Sequence, residues 1–390
     1  MAPLLLQLVV PPWTGGCALS PGTGGRRRRR RRPDRTLLPA LSQDGSGGEE
    51  GGIYRPFAEY AWGRLAGSGL LPPPGGDSVP EELRSNLTPS KGPKGGAPPS
   101  EVRIAVDAMP GRGAGGAIRL ARYALLETVV AAEEGEEEGA AAAAAAAAVR
   151  GGGGECVPGA THVLNLVVFP NPNLSGCSAL PVLGLDLVTL PGGRHLVAMD
   201  LQPVLPPPPE EDGDGDGDGD GDGPPSSPPR RGNPNVIPER YQDLEARLAS
   251  LHQRYCSSPT SALPWGGDLP PFARRYFSPY AVWTRLGAGP PGGDAPIPPR
   301  EPLDVVRTEV YGAFRDYVDL YLELMGRVQD DLDRGDLDVA SEEEAAEAVR
   351  GQRDYLNYRK ENDPARPMLK GLYGEDWTER LIGDVLFPMI

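Results

Sequence analysis

Three segments rich in β-branched and aliphatic residues follow one another in the middle of the chain. They span residues 161–169 (THVLNLVVF), 183–190 (LGLDLVTL) and 195–204 (HLVAMDLQPV), and turns containing Pro, Gly and Asn separate them. Consecutive strands joined by such turns pair in antiparallel order. A fourth segment of the same type, 277–286 (FSPYAVWTRL), comes later. The chain is therefore predicted to contain a β-meander, and this limits the folds that it can adopt.

Apolar residues at helical spacing predict helices at 240–255, 303–328 and 342–360, and a short terminal helix at 377–386. In the longest of these, the recurring apolar residues are Val306, Val310, Phe314, Tyr317, Tyr321, Leu324 and Val328. Strands in the middle of a chain, with helices before and after them, favour a sheet covered on its faces. We therefore predict an α/β fold, a three-layer α/β/α sandwich with a central antiparallel sheet.

Low-complexity stretches interrupt these patterns, and the chain contains 53 Gly and 46 Pro in 390 residues. The stretches near 72–100, 131–154 and 206–234 are predicted to be solvated insertions, since they lack any periodic apolar face. Without them and the N-terminal tail, roughly 240 residues remain, which suits one domain with one core. We place this domain at residues 51–390.

The first fifty residues combine a short apolar start, an arginine block at 26–32 and Ser, Gly and Pro without periodicity. This composition is typical of a targeting segment. The arginine block alone fits a nucleic-acid or nuclear-localisation tail equally well. No run in the chain approaches the ~18 apolar residues of a membrane span, so none is predicted.

Several classes of function lack their usual signals. A net charge of −15 argues against a nucleic-acid partner. The four cysteines and three histidines do not fall at metal-ligand spacing, so no bound metal or iron–sulfur cluster is predicted. The glycine-rich segment 111–116 (GRGAGG) resembles a dinucleotide-binding loop, but with no strand predicted before it we interpret it as loop composition.

Asp200 stands out because its neighbours in HLVAMDLQP are apolar on both sides. A carboxyl group buried in a strand has a raised pKa and can carry a proton near neutral pH, which suits a proton donor. The alternative is an Asp on the solvated face of a half-buried strand. Asp186 in LGLDLV invites the same two interpretations.

Asp363 follows a predicted helix and precedes Pro364, which disfavours helical geometry before it. Arg359 lies one helical turn earlier and could reach either the Asp363 carboxylate or an anionic ligand. An exposed salt bridge at the end of a helix explains the same pattern.

Five segments in order carry a resemblance to a known family. They are HVLNLVVFPNPNL, VLGLDLVTLPGG, HLVAMDLQPV, LPWGGDLPPFARRYFSPYAVWTRL and YLNYRKENDPARPMLKGLYGEDWTERLIGDVLFP, with weaker matches at IYRPFAEYAW and AIRLARYALL. Together they resemble the ferredoxin-dependent bilin reductases. The resemblance implies an α/β/α sandwich that holds a linear tetrapyrrole between the sheet and the C-terminal helices. It also implies an enzyme that binds no flavin, haem or metal and takes single electrons from reduced ferredoxin.

The resemblance assigns roles to individual residues. Asp200 and Asp363 match the family's proton-donating aspartates, and Arg359 matches a substrate-site arginine of the branch that reduces the A-ring. Asn171 in FPNP stands where phycocyanobilin-forming members carry Glu, which argues against that product and makes Asn171 a candidate substrate-binding residue. Because ferredoxin is acidic, the arginines 274, 275 and 285 are candidates for docking it, although scattered surface arginines are equally common.

The reaction implied by the resemblance is reduction of the A-ring diene of 15,16-dihydrobiliverdin to phycoerythrobilin through bilin radicals. The alternatives are synthesis of phytochromobilin from biliverdin and a bilin-binding protein without catalysis. A plastid-stroma location and an upstream bilin reductase as a further partner are also expected on this basis.

Overall fold

The computed structural model describes the chain in separate stretches. They are residues 52–72, 79–89, 100–130, 160–174, 180–190, 193–204, 236–257, 263–269, 271–287, 300–337, 340–363 and 365–390. The predicted targeting segment at 1–50 and the predicted insertions at 131–154 and 206–234 lie outside these stretches. Those three interpretations therefore stay predictions.

Within the described stretches, seven strands form one antiparallel sheet whose order across the sheet is their order along the chain. Their bounds are β1 Ser85–Pro89, β2 Ser100–Pro110, β3 Ile118–Val130, β4 His162–Pro170, β5 Val182–Leu190, β6 Arg194–Gln202 and β7 Val282–Leu286. The predicted meander is confirmed, since β4, β5 and β6 coincide with its three segments.

Helices and π-type turns make up most of the remaining described residues. The helices are α1 Arg55–Gly67, α2 Glu81–Arg84, α3 Gln242–His252, α4 Pro271–Arg274, α5 Pro302–Val305, α6 Tyr311–Arg334, α7 Glu342–Glu361, α8 Arg366–Tyr373 and α9 Glu375–Arg380. Turns of π type follow α3 (Gln253–Ser257), join α5 to α6 (Val306–Val310) and follow α9 (Leu381–Leu386). The helices predicted from apolar spacing are confirmed. Within the described stretches, no helix has the length and apolarity needed to cross a membrane.

One face of the sheet packs against α1, α3 and α6. Val197, Met199 and Leu201 alternate along β6 and join the core on this side, because successive strand residues point to opposite faces. The seven apolar residues that predicted the long helix are all buried. Burial of side chains of this size contributes about 1.5–3 kcal/mol each, so α6 is a main source of stability.

The opposite face is covered by α7, α8, α9 and the turn Leu381–Leu386, and we call it the C-terminal face. Helix α7 begins with a capping box, in which Ser341 and Glu344 satisfy each other's backbone N–H groups. Its buried residues include Tyr355 and Leu356. Helices on both faces of one antiparallel sheet confirm the predicted α/β/α sandwich.

Two segments differ from their predicted structure. Only Val282–Leu286 of the predicted strand 277–286 is extended, because the chain before it makes a turn in which Tyr280 N–H donates to Ser278 Oγ (3.0 Å). The stretch 72–100, predicted as an insertion, contains α2 and the edge strand β1. Strand β1 pairs with β2, and Leu83 of α2 is fully buried, so this part belongs to the folded domain.

The glycine-rich segment 111–116 is a loop, as predicted, but a strand does run into it. It joins β2 to β3 as a hairpin connection, in which Gly111 N–H donates to Arg119 O (2.7 Å). A Cβ on Gly111 would lie 1.9 Å from Ile118 O, and Gly113 has φ +73°, so both positions require glycine. A dinucleotide loop needs a helix after the strand, and here another strand follows.

A row of polar side chains crosses the sheet beneath α1. Thr189 of β5 lies between His162 of β4 and His195 of β6 in the strand register. Its hydroxyl donates to Tyr54 Oη (3.0 Å) and lies 3.0 Å from His195 Nδ1. Burial lowers the pKa of both histidines to about 4, and for His195 the nearby His162 adds to the effect.

This row should make the fold acid-sensitive. In the unfolded chain the histidines become protonated below about pH 6.5, whereas in the native chain they stay neutral until about pH 4. Stability therefore falls as the pH drops through that window. The loss is about 1.4 kcal/mol per pH unit for each histidine. We expect His162→Gln to reduce this slope between pH 6.5 and 4, measured by urea denaturation.

Measurements at pH 7.5 provide the control for this substitution, since the histidines are neutral in both states there and any difference reflects packing. An unchanged slope in the variant would show that His162 does not contribute to acid sensitivity.

Candidate functional site

Four of the polar residues singled out in the sequence, Asp186, Asp200, Arg359 and Asp363, lie on the C-terminal face. Asp186 of β5 and Asp200 of β6 both point to this face, because their strand neighbours Leu185, Leu187 and Leu201 pack on the other one. Gln202, two residues after Asp200, contacts α7 from the same side. Strand alternation and the C-terminal helices together therefore build the candidate site.

Asp200 is completely buried, so the interpretation as a solvated surface carboxylate is wrong. Burial raises its pKa to about 8, although hydrogen bonds from the backbone N–H (2.7 Å) and the hydroxyl of Ser278 act in the opposite direction. The turn before β7 supplies Ser278. Opposite Asp200 in the register is Gly184, and the Gln202 side chain occupies the space where a Cβ on residue 184 would lie. The Asp200 carboxyl group is therefore enclosed by protein atoms, and burial favours its protonated form.

Arg359 of α7 pairs with Asp186 across the layers. One of its terminal nitrogens lies 3.0 and 3.2 Å from the two Asp186 carboxylate oxygens, and the other donates to Tyr355 Oη (3.1 Å). Burial lowers the pKa of Arg359, but the charge of Asp186, followed by Tyr355 and Asp363, outweighs it and raises the pKa above its ordinary value. The sequence suggested Asp363 or a ligand as its partner, and the structure shows Asp186 instead.

Asp363 lies just beyond the end of α7, as the Asp-Pro pair predicted. Its Oδ1 accepts a hydrogen bond from Ala365 N–H (2.7 Å), which fixes the turn into α8. Burial raises the pKa of Asp363, and the positive charge of Arg359 opposes this. The exposed-salt-bridge interpretation is wrong, since Asp363 is buried and makes no direct ion pair within the described residues.

Tyr355 connects the two halves of the site. Its hydroxyl donates to Gln202 Oε1 and accepts from Arg359. Tyr276, which precedes the Ser278 turn, packs edge-on to Tyr355 and stacks on Tyr358 with ring centroids 4.7 Å apart. The strand that carries Asp200 and the helix that leads to Asp363 are thus joined by hydrogen bonds and aromatic packing.

Two further residues of the site were missed in the sequence. Arg122 of β3 donates to Asn165 Oδ1 (2.7 Å), and Asn165 of β4 donates to Asp186. Both are polar residues inside apolar strand segments, the same signal that drew attention to Asp186. Their association could not be predicted because it depends on the register of three strands.

Asn171 has a different environment. Its side chain donates to Gly113 O (3.1 Å) and Gly116 O (2.8 Å) and accepts from Asn173 N–H (3.1 Å). These bonds hold the loop between β2 and β3, and none of them reaches Asp200, Asp363 or Arg359. A contact between Asn171 and substrate stays a prediction.

The described residues offer no evident metal centre. No group of three or more His, Cys, Asp or Glu in the described stretches is arranged to hold an ion. A groove of about 690 Å³ lies on the other side of the sheet, among α1, α3 and α6. Its Arg64, Arg247 and Arg254 each pair with a carboxylate of α6, so the charges of these groove arginines are balanced by neighbours.

Comparisons with known proteins point to one family. The model of the family described as ferredoxin-dependent bilin reductase matches residues 234–388. The chain is 35% identical over 230 residues to phycoerythrobilin:ferredoxin oxidoreductase of Synechococcus sp. (strain RCC307), covering 59% of this chain and 66% of that protein. It is 34% identical over 231 residues to the protein of the same name from Gloeobacter violaceus, covering 59% and 70%. The chain therefore spans about two thirds of the length of these relatives.

A solved structure shows the same fold. The crystal structure of phytochromobilin synthase from tomato in complex with biliverdin superposes with a TM-score of 0.51 at 20% identity, over 86% of this chain and 82% of that one. At this identity the likeness concerns the fold alone.

The raised pKa of Asp200 predicts how stability depends on pH. The native carboxyl keeps its proton up to about pH 8, whereas the unfolded one loses it near pH 4. The native state therefore binds more protons in this window, and Asp200 destabilises the fold increasingly as the pH rises from about 4 to 8. Asp200→Asn should be more stable relative to the parent at pH 8 than at pH 5, measured by urea denaturation.

Ser278→Ala serves as the second arm of this experiment. It removes a hydrogen bond that lowers the pKa of Asp200, so it should extend the loss of stability to higher pH. Equal effects of Asp200→Asn at pH 5 and pH 8 would contradict a protonated Asp200.

Proposed function

The chain belongs to the ferredoxin-dependent bilin reductase family, and from this premise we propose that it reduces a linear tetrapyrrole with electrons from reduced ferredoxin. The proposed reaction converts the A-ring diene of 15,16-dihydrobiliverdin to phycoerythrobilin. The names of the curated relatives support this choice of product. The reaction consumes two electrons, delivered singly by ferredoxin, and two protons.

The observation that carries the proposal is a completely buried carboxyl group, Asp200, whose pKa burial raises to about 8. Asp200 holds a proton up to about pH 8 on the face of the sheet that meets the C-terminal helices. Each electron makes the bilin more basic, and a nearby neutral carboxyl can then transfer its proton at little electrostatic cost. After the transfer, the Asp200 carboxylate still accepts a hydrogen bond from Ser278 N–H.

Asp363 is the proposed second donor. The guanidinium of Arg359 stabilises the charged form of Asp363, so this carboxyl releases its proton more readily than burial alone would allow. Asp186 fixes the position of Arg359 through its two oxygens. Two carboxyl groups in different electrostatic environments can supply two protons in sequence, which suits a reaction that adds electrons one at a time.

The remaining parts of the proposal concern partners and location. The chain supplies protons and a binding site, and ferredoxin supplies the electrons, so no protein-bound redox cofactor is proposed. An upstream bilin reductase would provide the dihydrobiliverdin. A location in the plastid stroma, where ferredoxin is reduced, is proposed from the family resemblance together with the targeting-like composition of residues 1–50.

Asp200→Asn tests the proton transfer. The variant should bind bilin with near-parental affinity and lose about 10²- to 10⁴-fold in turnover, the usual contribution of a positioned general acid. An anaerobic assay with reduced ferredoxin, followed by absorption spectra, measures both. Asp107→Asn is the matched control, since Asp107 also lies in a strand with its pKa raised by burial, but its side chain faces Trp62 on the other side of the sheet. Unimpaired turnover in Asp200→Asn would remove Asp200 from the mechanism.

The products of the same assay distinguish the alternatives. Phycoerythrobilin formed only from 15,16-dihydrobiliverdin supports the proposed reaction. Phytochromobilin formed from biliverdin indicates the second A-ring reaction, and bound but unchanged pigment indicates a binding protein.

Exposed arginines near the site are candidates for ferredoxin docking. Arg274 and Arg275 are exposed at the end of α4, and Arg275 lies over the ring of Tyr276 (4.5 Å), which leads to Tyr355 and Tyr358. Arg285, the third candidate, is half-buried over Trp283 (5.3 Å). Arg274 and Arg275 are therefore better candidates for ferredoxin docking than Arg285.

Charge reversal tests this surface. Arg274→Glu with Arg275→Glu should raise the ferredoxin concentration needed for half-maximal turnover about tenfold or more at low salt, without changing bilin affinity. Arg315→Glu, an exposed arginine on the opposite layer, is the control. An unaltered dependence on ferredoxin would exclude Arg274 and Arg275 from docking.

A further inference from the structure

Arg122 is a buried cation whose hydrogen bonding is incomplete. The side chain has no exposed surface, and its only hydrogen bond within the described residues runs from Nη1 to Asn165. Its Nε and Nη2 are buried without a partner. Burial lowers the pKa of Arg122 to about 9, yet the group is still charged at neutral pH.

Such an arrangement does not serve the stability of the fold. A buried guanidinium with unmet donors costs free energy, and an apolar side chain of similar volume would often be neutral or stabilising in its place. Its Cζ lies 4.5 Å from the centre of the Phe387 ring, and Arg359 lies 5.2 Å from the same ring. Each guanidinium is attracted to the ring, but the two like charges repel each other, and Arg359 lowers the pKa of Arg122 further.

The acidic groups around Arg122 do not satisfy its open donors. Asp186 and Asp363 act on it through space and partly offset the effects of burial and of Arg359. Asp186 is engaged by Arg359 and Asn165, and Asp363 by the backbone of Ala365. The carboxylates near Arg122 thus already have other partners, and its Nε and Nη2 stay without an acceptor.

The open donors also have a defined shape. Nε and Nη2 form one edge of the planar guanidinium, with two roughly parallel N–H bonds that suit an acceptor group carrying negative charge. Asn165 holds the opposite edge, so the open edge has a fixed direction. A linear tetrapyrrole carries acceptors of this type in its propionate carboxylates and its lactam carbonyl oxygens.

We propose that the Nε–Nη2 edge of Arg122 binds an acceptor oxygen of the tetrapyrrole and fixes the substrate against β3. This rests on the proposed function and adds to it a residue that contacts the substrate. The hydrogen bonds from Arg122 through Asn165 to Asp186 then link that contact to Arg359. Substrate held at Arg122 lies on the same face of the sheet as Asp200, Asp363 and Arg359.

Arg122→Met in the full chain tests the proposal with two readouts. Met fills a similar volume and removes the charge, so the unfolding temperature without bilin should stay within about 3 °C of the parent or rise. Biliverdin affinity, from absorption titration, should fall about tenfold to a hundredfold, the usual effect of losing a charged hydrogen bond. Arg315→Met is the control, and it should change neither value.

Binding of biliverdin dimethyl ester shows which oxygen of the tetrapyrrole Arg122 contacts. If Arg122 binds a propionate, the parent should bind the ester as weakly as Arg122→Met binds biliverdin. If it binds a lactam oxygen, the substitution should weaken biliverdin and the ester by the same factor. Either result supports the proposal.

Other outcomes overturn it. Parental biliverdin affinity in Arg122→Met, with a lowered unfolding temperature, would make Arg122 a structural residue. If that variant does not fold, Arg122→Lys replaces it, because Lys keeps the charge but lacks the two-donor edge, and parental affinity would have the same meaning. A parent chain that binds no bilin would instead refute the proposed function and this inference together.

Discussion

The ion pair between Asp186 and Arg359 joins the sheet to its C-terminal layer, and the rest of the site depends on it. Asp186 comes from the centre of the sheet and Arg359 from the last turns of α7, so the pair holds the C-terminal end of α7 against the sheet. Asp363 follows that end directly, so the same pair also positions the buried Asp363 side chain. Because both partners have little exposure, breaking the pair would leave a buried charge uncompensated, which is far more costly than losing a surface salt bridge.

The sequence predicted the elements of the fold better than their association. Runs of β-branched and aliphatic residues bounded by turns located β4, β5 and β6, and helical spacing located α3, α6 and α7, because each pattern is local. Strands β1 to β3 went unrecognised as strands, and all of β1 was assigned to an insertion, since low-complexity sequence surrounds it. The loop at 111–116 was identified as a loop, but the strand leading into it was missed for the same reason.

In the candidate site, too, single residues could be predicted from the sequence but their contacts could not. The apolar neighbours of Asp200 indicated burial and a raised pKa but left a solvated position open, and the family resemblance favoured burial, which the structure confirms. The partner of Arg359 could not be predicted, because Asp186 is 173 residues away in sequence and meets it only through the packing of α7 on the sheet. Arg122 and Asn165 belong to the site for the same non-local reason.

The order of the sheet has a consequence for how this chain can change in length. Every strand pairs with its neighbours in sequence, so each connection leaves and re-enters the sheet between adjacent strands. Extra residues between Val130 and His162, or between Gln202 and Val282, therefore need not shift the pairing on either side. Closing a longer loop costs only about 0.6 kcal/mol per doubling of its length. The architecture is in this sense permissive: long inserts can accumulate between these strands, or foreign domains be placed there, while the register that aligns Arg122, Asn165 and Asp186 stays the same.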